Sequence, residues 1–524
     1  MILLWLIIIL LAGGLVAVLS GRHHPSWPRC VSLIALTLDL VLALTFFFRR
    51  TGSLEITPGG PWLARIKLAW IHQLDISFYL AVDGLSLTLI LLTVFLGFMA
   101  VASAWTEIRQ RSGFFYFNLL WVLAGILGVF MALDLFLFYF FWELMLVPMF
   151  FIIAVWGHEN RTYAAIKFFL FTQLSGLLML AAIISLVFIH GRHTGNYTFD
   201  YLQLLGTDMP PSTAKWLMMG FTVAFLVKLP AIPVHTWLAD AHTQAPTPGS
   251  VILAGLLLKT GAYGLIRFAV PLFPKAAAQI APGAMVLGVI GILYGAVIAF
   301  SQKDLKRLVA YTSISHMGFV LLGIFVWNQT ALNGVILQMV CHGISTGALF
   351  ILVGALQERI HSRDLDRMGG LWSTVPRMGA AILFFSLASL GLPGLGNFVG
   401  EFLVLMGTYR VNIWITAAAA LGLIAAAVYA LRIVQKVLHG PNSNACNLTD
   451  LTVREAAVMG VMTVSIIWLG LFPQPVLNTV SPSLTYIEQL ADFPKDPASL
   501  SKSYSTAALD ENSLVFVHQQ RGHP

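Results

Sequence analysis

Phe221-Thr-Val-Ala-Phe-Leu-Val-Lys-Leu-Pro-Ala-Ile-Pro233 places a lysine and two prolines inside an otherwise apolar run. The longer apolar stretch around it, near residues 215–244, has the length of a membrane-crossing helix. Pro230 and Pro233 interrupt that helix, because proline lacks a backbone donor and crowds the preceding turn. A helix broken at membrane depth persists only where protein or a water-filled cavity satisfies the freed backbone groups. Lys228, at the break, is therefore expected to face a polar interior and not lipid.

Working outward, apolar runs of similar length recur from end to end. They lie near residues 1–20, 30–48, 84–105, 114–132, 134–156, 163–190, 215–244, 248–270, 281–301, 306–327, 331–357, 377–409, 411–438 and 454–472. The reading is thus an all-α polytopic membrane protein of about fourteen transmembrane helices. Composition agrees: in 524 residues, 58% are hydrophobic and only 10% charged, too few to make an ordinary water-facing surface. The opening stretch has no basic start and no clear cleavage site, so it reads as a first span and not as a removed signal peptide.

The twelfth run carries a second break at Gly391-Leu-Pro-Gly-Leu-Gly396. Helices seven and twelve are therefore both expected to be discontinuous. They lie five spans apart, each with an ionisable residue, Lys228 and Glu401. An odd separation inverts the second copy, which suggests two inverted five-helix repeats, helices 4–8 and 9–13. The expected organisation is residues 1–112 for three N-terminal helices, 113–271 and 280–438 for the repeats, 439–474 for a last helix, and 475–524 for a polar tail, partner-contacting or disordered.

The formal charge of +7 sits mostly in short connections and forms no basic stripe, which speaks against a nucleic-acid partner. The connection with Lys303, Lys306 and Arg307 and the one with Arg359, Arg363, Arg367 and Arg377 fall on one side, opposite the termini. Basic loops mark the cytoplasmic face, so the termini are expected on the periplasmic side. Arg49 and Arg50 argue mildly the other way. Cys30, Cys341 and Cys446 are too few and too scattered for a disulfide framework, a zinc site or an iron–sulfur cluster, and no Gly-rich nucleotide motif is present. The chain has no visible means of handling nucleotides or electrons.

The buried polar residues carry the chemistry. Glu143, among aromatic residues, costs at least ~2.5 kcal/mol to place in a bilayer, which argues for a function over a helix-to-helix hydrogen bond. A lysine and a glutamate whose spacing can change form a proton switch, and Lys228 with Glu143 is the pair expected to do so; a static ion pair bracing the kink is the alternative. Lys259 lies midway along its span, where snorkelling is difficult, with Tyr263 one turn on. His235, His316 and His342 are candidate relays, the last two lined by hydroxyl residues at helical spacing. His235, Asp240 and His242 do not align as three ligands, so no metal is expected. Asp134 begins its span and reads as interfacial or capping, Lys167 and Arg432 as interfacial, and Gly291 with Gly295 as a close helix contact.

Asp134-Leu-Phe-Leu-Phe-Tyr-Phe-Phe-Trp-Glu143, Lys228 to His242, Gln244-Ala-Pro-Thr-Pro-Gly-Ser250, Tyr311-Thr-Ser-Ile-Ser-His-Met-Gly318 and Gly396-Asn-Phe-Val-Gly-Glu401 closely resemble the subunit M family of bacterial proton-pumping NADH:quinone oxidoreductase, respiratory complex I. The resemblance spans nearly the whole chain. It implies an antiporter-like subunit of the inner membrane that carries one proton path and couples quinone reduction elsewhere to proton transport. It implies that Glu143 and Lys228 are the paired residues of helices five and seven, Lys259 the central lysine of helix eight, and Glu401 the residue at the outward half-channel. Related subunits usually carry lysine at the last position, and Ala239 stands where the family commonly has proline. FMN, iron–sulfur clusters, NADH and quinone are then expected on partner subunits, none on this chain, and the partners are other membrane-arm subunits, including neighbouring antiporter-like ones. The alternatives are a subunit of a multisubunit cation/proton antiporter, a membrane-bound hydrogenase subunit, or a purely structural membrane subunit.

Overall fold

The computed structural model describes residues 1–49, 60–440 and 448–491. Cys446, Arg50 and the end of the expected tail lie outside them. Among the described residues, twelve helices are long and apolar enough to cross a membrane. The two interrupted crossings add to these: Pro211–Lys228 followed by Thr236–Gln244, and Pro376–Leu390 followed by Gly396–Tyr409.

The third to sixth spans are Gly84–Glu107, Ser112–Met131, Leu135–Trp156 and Arg161–Thr194. The eighth to eleventh are Thr247–Leu272, Pro274–Ser301, Leu305–Val326 and Gln329–Ile360; the thirteenth and fourteenth are Ile413–Leu438 and Val453–Leu471. Burial is graded across the bundle. The eighth and eleventh spans are wholly buried and the tenth nearly so, whereas the first, second, ninth, thirteenth and fourteenth leave most of their residues facing outward. An apolar helix with lipid on one face needs no polar partner there, and Lys259, His316 and His342 lie on the three central spans.

The spans are less regular than the expected two breaks. The fifth is also interrupted, at Met145, two residues after Glu143 and three before Pro148. The eighth contains two π-turns, Leu253–Leu257 and Leu265–Ala269, which flank Lys259 on either side. The thirteenth ends in a third, Val434–Leu438. Such widened turns recur at functional sites because they turn carbonyls and side chains off the regular helical direction. The ninth and tenth spans touch backbone to backbone, since a methyl group on Gly295 would lie 2.6 Å from the Ser315 amide.

Two elements lie outside the expected scheme. Between the second and third spans, β1 (Ala64–Ile71) and β2 (Ile76–Val82) form an antiparallel hairpin. It is tied to the bundle where the Ser77 amide donates to Asp134 (2.9 Å) and Lys67 pairs with Asp200 (2.6 Å). The stretch read as a polar tail begins instead with a helix, Gln474–Ala491. Its one apolar face buries Val480, Leu484 and Ile487, and the Ser483 hydroxyl accepts from the Gly84 amide at 3.0 Å. A search for long apolar runs passes over such a helix, because only one side of it is apolar.

One arrangement occurs twice. Asp134 and Asp200 form an isolated antiparallel bridge, and so do Asp304 and Asp364. In each pair the first aspartate caps the start of a span and the second caps a short helical turn ahead of the next span but one, a broken span. By the alternation of spans the two brackets fall on opposite ends of the bundle. Asp134 is thus the cap expected of it. Its carboxyl is raised above the usual range by burial, and bonds from the Ser77, Leu137 and Phe136 amides oppose the shift.

Candidate functional site

The first half of the seventh span ends at Lys228, and the break is closed by protein. The Trp237 indole donates to the Val227 carbonyl (2.9 Å) and the Ala231 amide to Leu226 (2.9 Å). Lys228 is fully buried, and its ammonium has no hydrogen-bond partner. It lies over the Trp142 ring at 5.2 Å and the Phe168 ring at 5.7 Å, a cation–π arrangement that stabilises a desolvated ammonium. Glu143 is only half-buried, at the break in the fifth span, and its Oε1 has no partner. Among the described residues no ion pair within 4.0 Å joins Glu143 to Lys228. They are neighbours and not a contact pair; the ammonium lies against the Trp142 and Phe168 rings instead.

Lys259, fully buried midway along the eighth span, donates to the Ala254 carbonyl (2.6 Å) and to His342 Nδ1 (2.7 Å). The carbonyl belongs to the π-turn just before the lysine. His342, on the eleventh span, faces His316 on the tenth with ring centroids 5.5 Å apart. His316 Nδ1 bonds Glu401 Oε1 at 2.7 Å, and Gln338 donates to the same oxygen at 2.8 Å. On its other side His316 Nε2 meets Ser389 (3.1 Å) and Tyr429 (3.3 Å). Four ionisable residues from four spans therefore stand in line, Lys259–His342–His316–Glu401, all buried.

The second half of the twelfth span places Glu401. Gly391 and Gly394 adopt left-handed φ values of +81° and +93° at the break. Gly400 lets the restarted helix press on the eleventh span, where a methyl group would lie 2.7 Å from the Gln338 amide.

Not every expected residue joins the line. His235 packs edge-on against Tyr294 with centroids 5.2 Å apart, and its Nδ1 has no partner. His242 stacks on Phe350 at 4.5 Å with both ring nitrogens unpartnered. Lys167 pairs with Asp240 (2.6 Å) and so is more than an interfacial charge. Lys306, placed in a loop by the sequence reading, is fully buried at the start of the tenth span, donating to the Ala245 carbonyl at 2.5 Å. On the other side of the same link, Glu107 accepts from the Thr247 amide at 3.0 Å. Nearby His158, in the loop after the fifth span, is pushed down to about 4 by burial and by the charges of Lys306 and Arg363. Ser389 and Tyr429 were also missed, since single polar residues in an apolar helix give no periodic signal. No group of three or more His, Cys, Asp or Glu is placed to hold a metal ion among the described residues.

The chain is similar to known proteins over almost its whole length. The sequence family described as "NADH:quinone oxidoreductase/Mrp antiporter, TM" matches residues 132–427. NADH-quinone oxidoreductase subunit M of Pseudomonas aeruginosa is 52% identical over 497 residues, covering 93% of this chain and 98% of that protein. The Escherichia coli K12 protein of the same name is 49% identical over 498 residues, again 93% and 98%. Among solved structures, a chain of respiratory complex I from Thermus thermophilus with bound NADH superposes with a TM-score of 0.84 at 30% identity, covering 94% of this chain and all of that one. A chain of the Mrp complex from Dietzia sp. shares the fold, with a TM-score of 0.80 at 20% identity over 94% of this chain and 99% of that one.

Proposed function

The chain belongs to the subunit M family of NADH-quinone oxidoreductases, and from that premise we propose how its buried charges carry a proton. It is a proton-translocating membrane subunit of the bacterial inner membrane and works within a membrane arm beside other antiporter-like subunits. No redox chemistry is expected on this chain. FMN, the iron–sulfur clusters, NADH and quinone belong, on this reading, to partner subunits.

The observation that carries the reading is the line Lys259–His342–His316–Glu401, which joins the centre of the eighth span to the twelfth-span break. The lysine ammonium hands a proton to His342 Nδ1, His342 passes it towards His316, and His316 Nδ1 delivers it to the Glu401 carboxylate. Histidine suits both intermediate places, because one ring nitrogen accepts while the other donates. Glu401 is the release site. Gly391, whose added methyl would stand 3.3 Å from Glu401 Oε2, makes the turn beside it.

Glu143 and Lys228 set the state of this line. The half-buried carboxylate at one break and the buried ammonium at another form a contact ion pair or separate to the observed arrangement, and each change alters the proton affinity of both. His235, at the same break, serves proton entry and lies outside the transfer line. The inverted repeats of helices 4–8 and 9–13 are supported by the duplicated aspartate bracket on opposite ends of the bundle. Span parity puts the connections with Lys303, Arg307, Arg359, Arg363, Arg367 and Arg377 on one side, which is the cytoplasmic one by the positive-inside rule, leaving the termini periplasmic.

The test is Lys259→Ala in the assembled complex, with NADH-driven proton uptake measured in inverted membrane vesicles. Pumping is abolished or severely reduced while the complex persists. A normal pumping stoichiometry in an intact complex overturns the assignment.

A further inference from the structure

We propose that Arg267, paired with Asp83 beneath Tyr263, is a proton barrier that closes the direct way outward from Lys259, so that the proton leaves sideways through His342. The inference rests on the reading of Lys259 as a proton carrier. Along the eighth span, Tyr263 and Arg267 follow Lys259 one and two turns towards the outer end. The Arg267 guanidinium lies 5.5 Å from the Tyr263 ring centroid, and the spacing of four residues from Lys259 to Tyr263 to Arg267 is that of one helix face.

The Tyr263 hydroxyl donates to the Phe130 carbonyl at 2.9 Å, an acceptor with no proton to hand on, and also meets the Ser86 hydroxyl at 3.3 Å. The next group outward, Arg267, is 1% exposed and ion-paired with Asp83, itself fully buried. Guanidinium does not deprotonate in proteins, so it cannot take part in a relay. The partner carboxylate is occupied on both oxygens, with Oδ1 accepting from the Ser86 amide at 2.9 Å and Oδ2 from Arg267. Trp62 also packs on the guanidinium, its ring centre 5.2 Å away. A fixed cation in a narrow, desolvated passage is a known way for membrane proteins to exclude protons. A bracing ion pair alone would work equally well with lysine, which separates the two roles.

The experiment uses the whole complex in sealed membrane vesicles, with two readouts: passive proton conductance after an imposed pH jump, and the pH gradient sustained during NADH oxidation. Arg267→Lys keeps the charge and the ion pair but supplies an ammonium able to give up its proton. It is expected to raise passive conductance at least about threefold and to lower the sustained gradient while NADH oxidation continues. Asp83→Asn with Arg267→Met, which removes both charges and so leaves no orphaned ion, leaks likewise. Adding Lys259→Ala to either variant restores a tight membrane. Passive conductance equal to wild type in Arg267→Lys, or a leak that survives Lys259→Ala, overturns the barrier. Neither result bears on whether Lys259→Ala alone abolishes pumping, so the two readings fail separately.

Discussion

Gly176 on the sixth span faces Glu143 so closely that a methyl group there would lie 2.5 Å from the carboxylate Oε1, with the nearest Trp142 atoms at 3.7 Å. In Gly176→Ala the oxygen must retreat by about 1 Å to regain ordinary contact. Oε1 itself has no hydrogen-bond partner to lose, so the movement costs the fold only a readjustment of the bonds that Tyr139 and Gln173 make to the same carboxylate. Alanine in a helix interior contributes about 1 kcal/mol relative to glycine, so the subunit should be as stable as wild type or slightly more so. Function should move the opposite way. Displacing a proton-handling group by about 1 Å lowers a transfer rate by as much as ~10²-fold. The assay is proton uptake per NADH oxidised in inverted vesicles, normalised to assembled complex on a native gel. Glu143→Asp in the same chain withdraws the carboxylate by about one bond length, ~1.5 Å, clears the methyl and should recover part of the loss. Wild-type pumping in Gly176→Ala at wild-type complex content would refute the placement of Glu143 in the switch.

Other outcomes follow from the same contacts. His342→Leu removes the acceptor of the Lys259 ammonium at 2.7 Å and separates it from His316; pumping should fall at least about tenfold in an assembled complex, read by the same vesicle assay. Asp304→Ala removes a helix cap and the 3.0 Å pair with Arg363, costing about 1–2 kcal/mol; the melting temperature drops while protons pumped per NADH stay unchanged. His158 has a folded-state value of about 4, below the ~6.5 of an unfolded histidine, so the unfolded chain takes up a proton that the folded chain refuses. Stability is therefore lost as pH falls from ~6.5 towards ~4, and His158→Gln should show a smaller drop in melting temperature between pH 7.5 and 5.5 than wild type.

Most of the architecture was legible because lipid imposes a simple rule, about twenty apolar residues for each crossing. The prolines at 230, 233 and 393 disclosed both main breaks, since proline cannot continue a helix. The sequence reading ran the fifth span straight through Pro148, whereas the structure interrupts it at Met145, three residues earlier. The hairpin 64–82 and the helix Gln474–Ala491 escaped because they lie against the ends of the spans and are apolar on one side only. Lys306 shows the limit of reading charge by position. It begins a span next to Lys303 and Arg307, yet its side chain turns inward to the Ala245 carbonyl.

The sequence by itself determined that the chain crosses a membrane many times and which charged residues lie too deep for lipid to tolerate, because both follow from the solvent and from distance along one helix. It also singled out His316 and His342, the two histidines that stand in the line, together with His235, which does not. Only the tertiary structure decided the order Lys259–His342–His316–Glu401, since those residues come from four spans and their neighbours depend on which helix faces which. It likewise set the Lys228 ammonium over the Trp142 ring and not in an ion pair with Glu143, and brought Asp83, 184 positions away in the chain, to Arg267. Helical periodicity fixes which side of its own helix a residue occupies; packing alone fixes what it meets there.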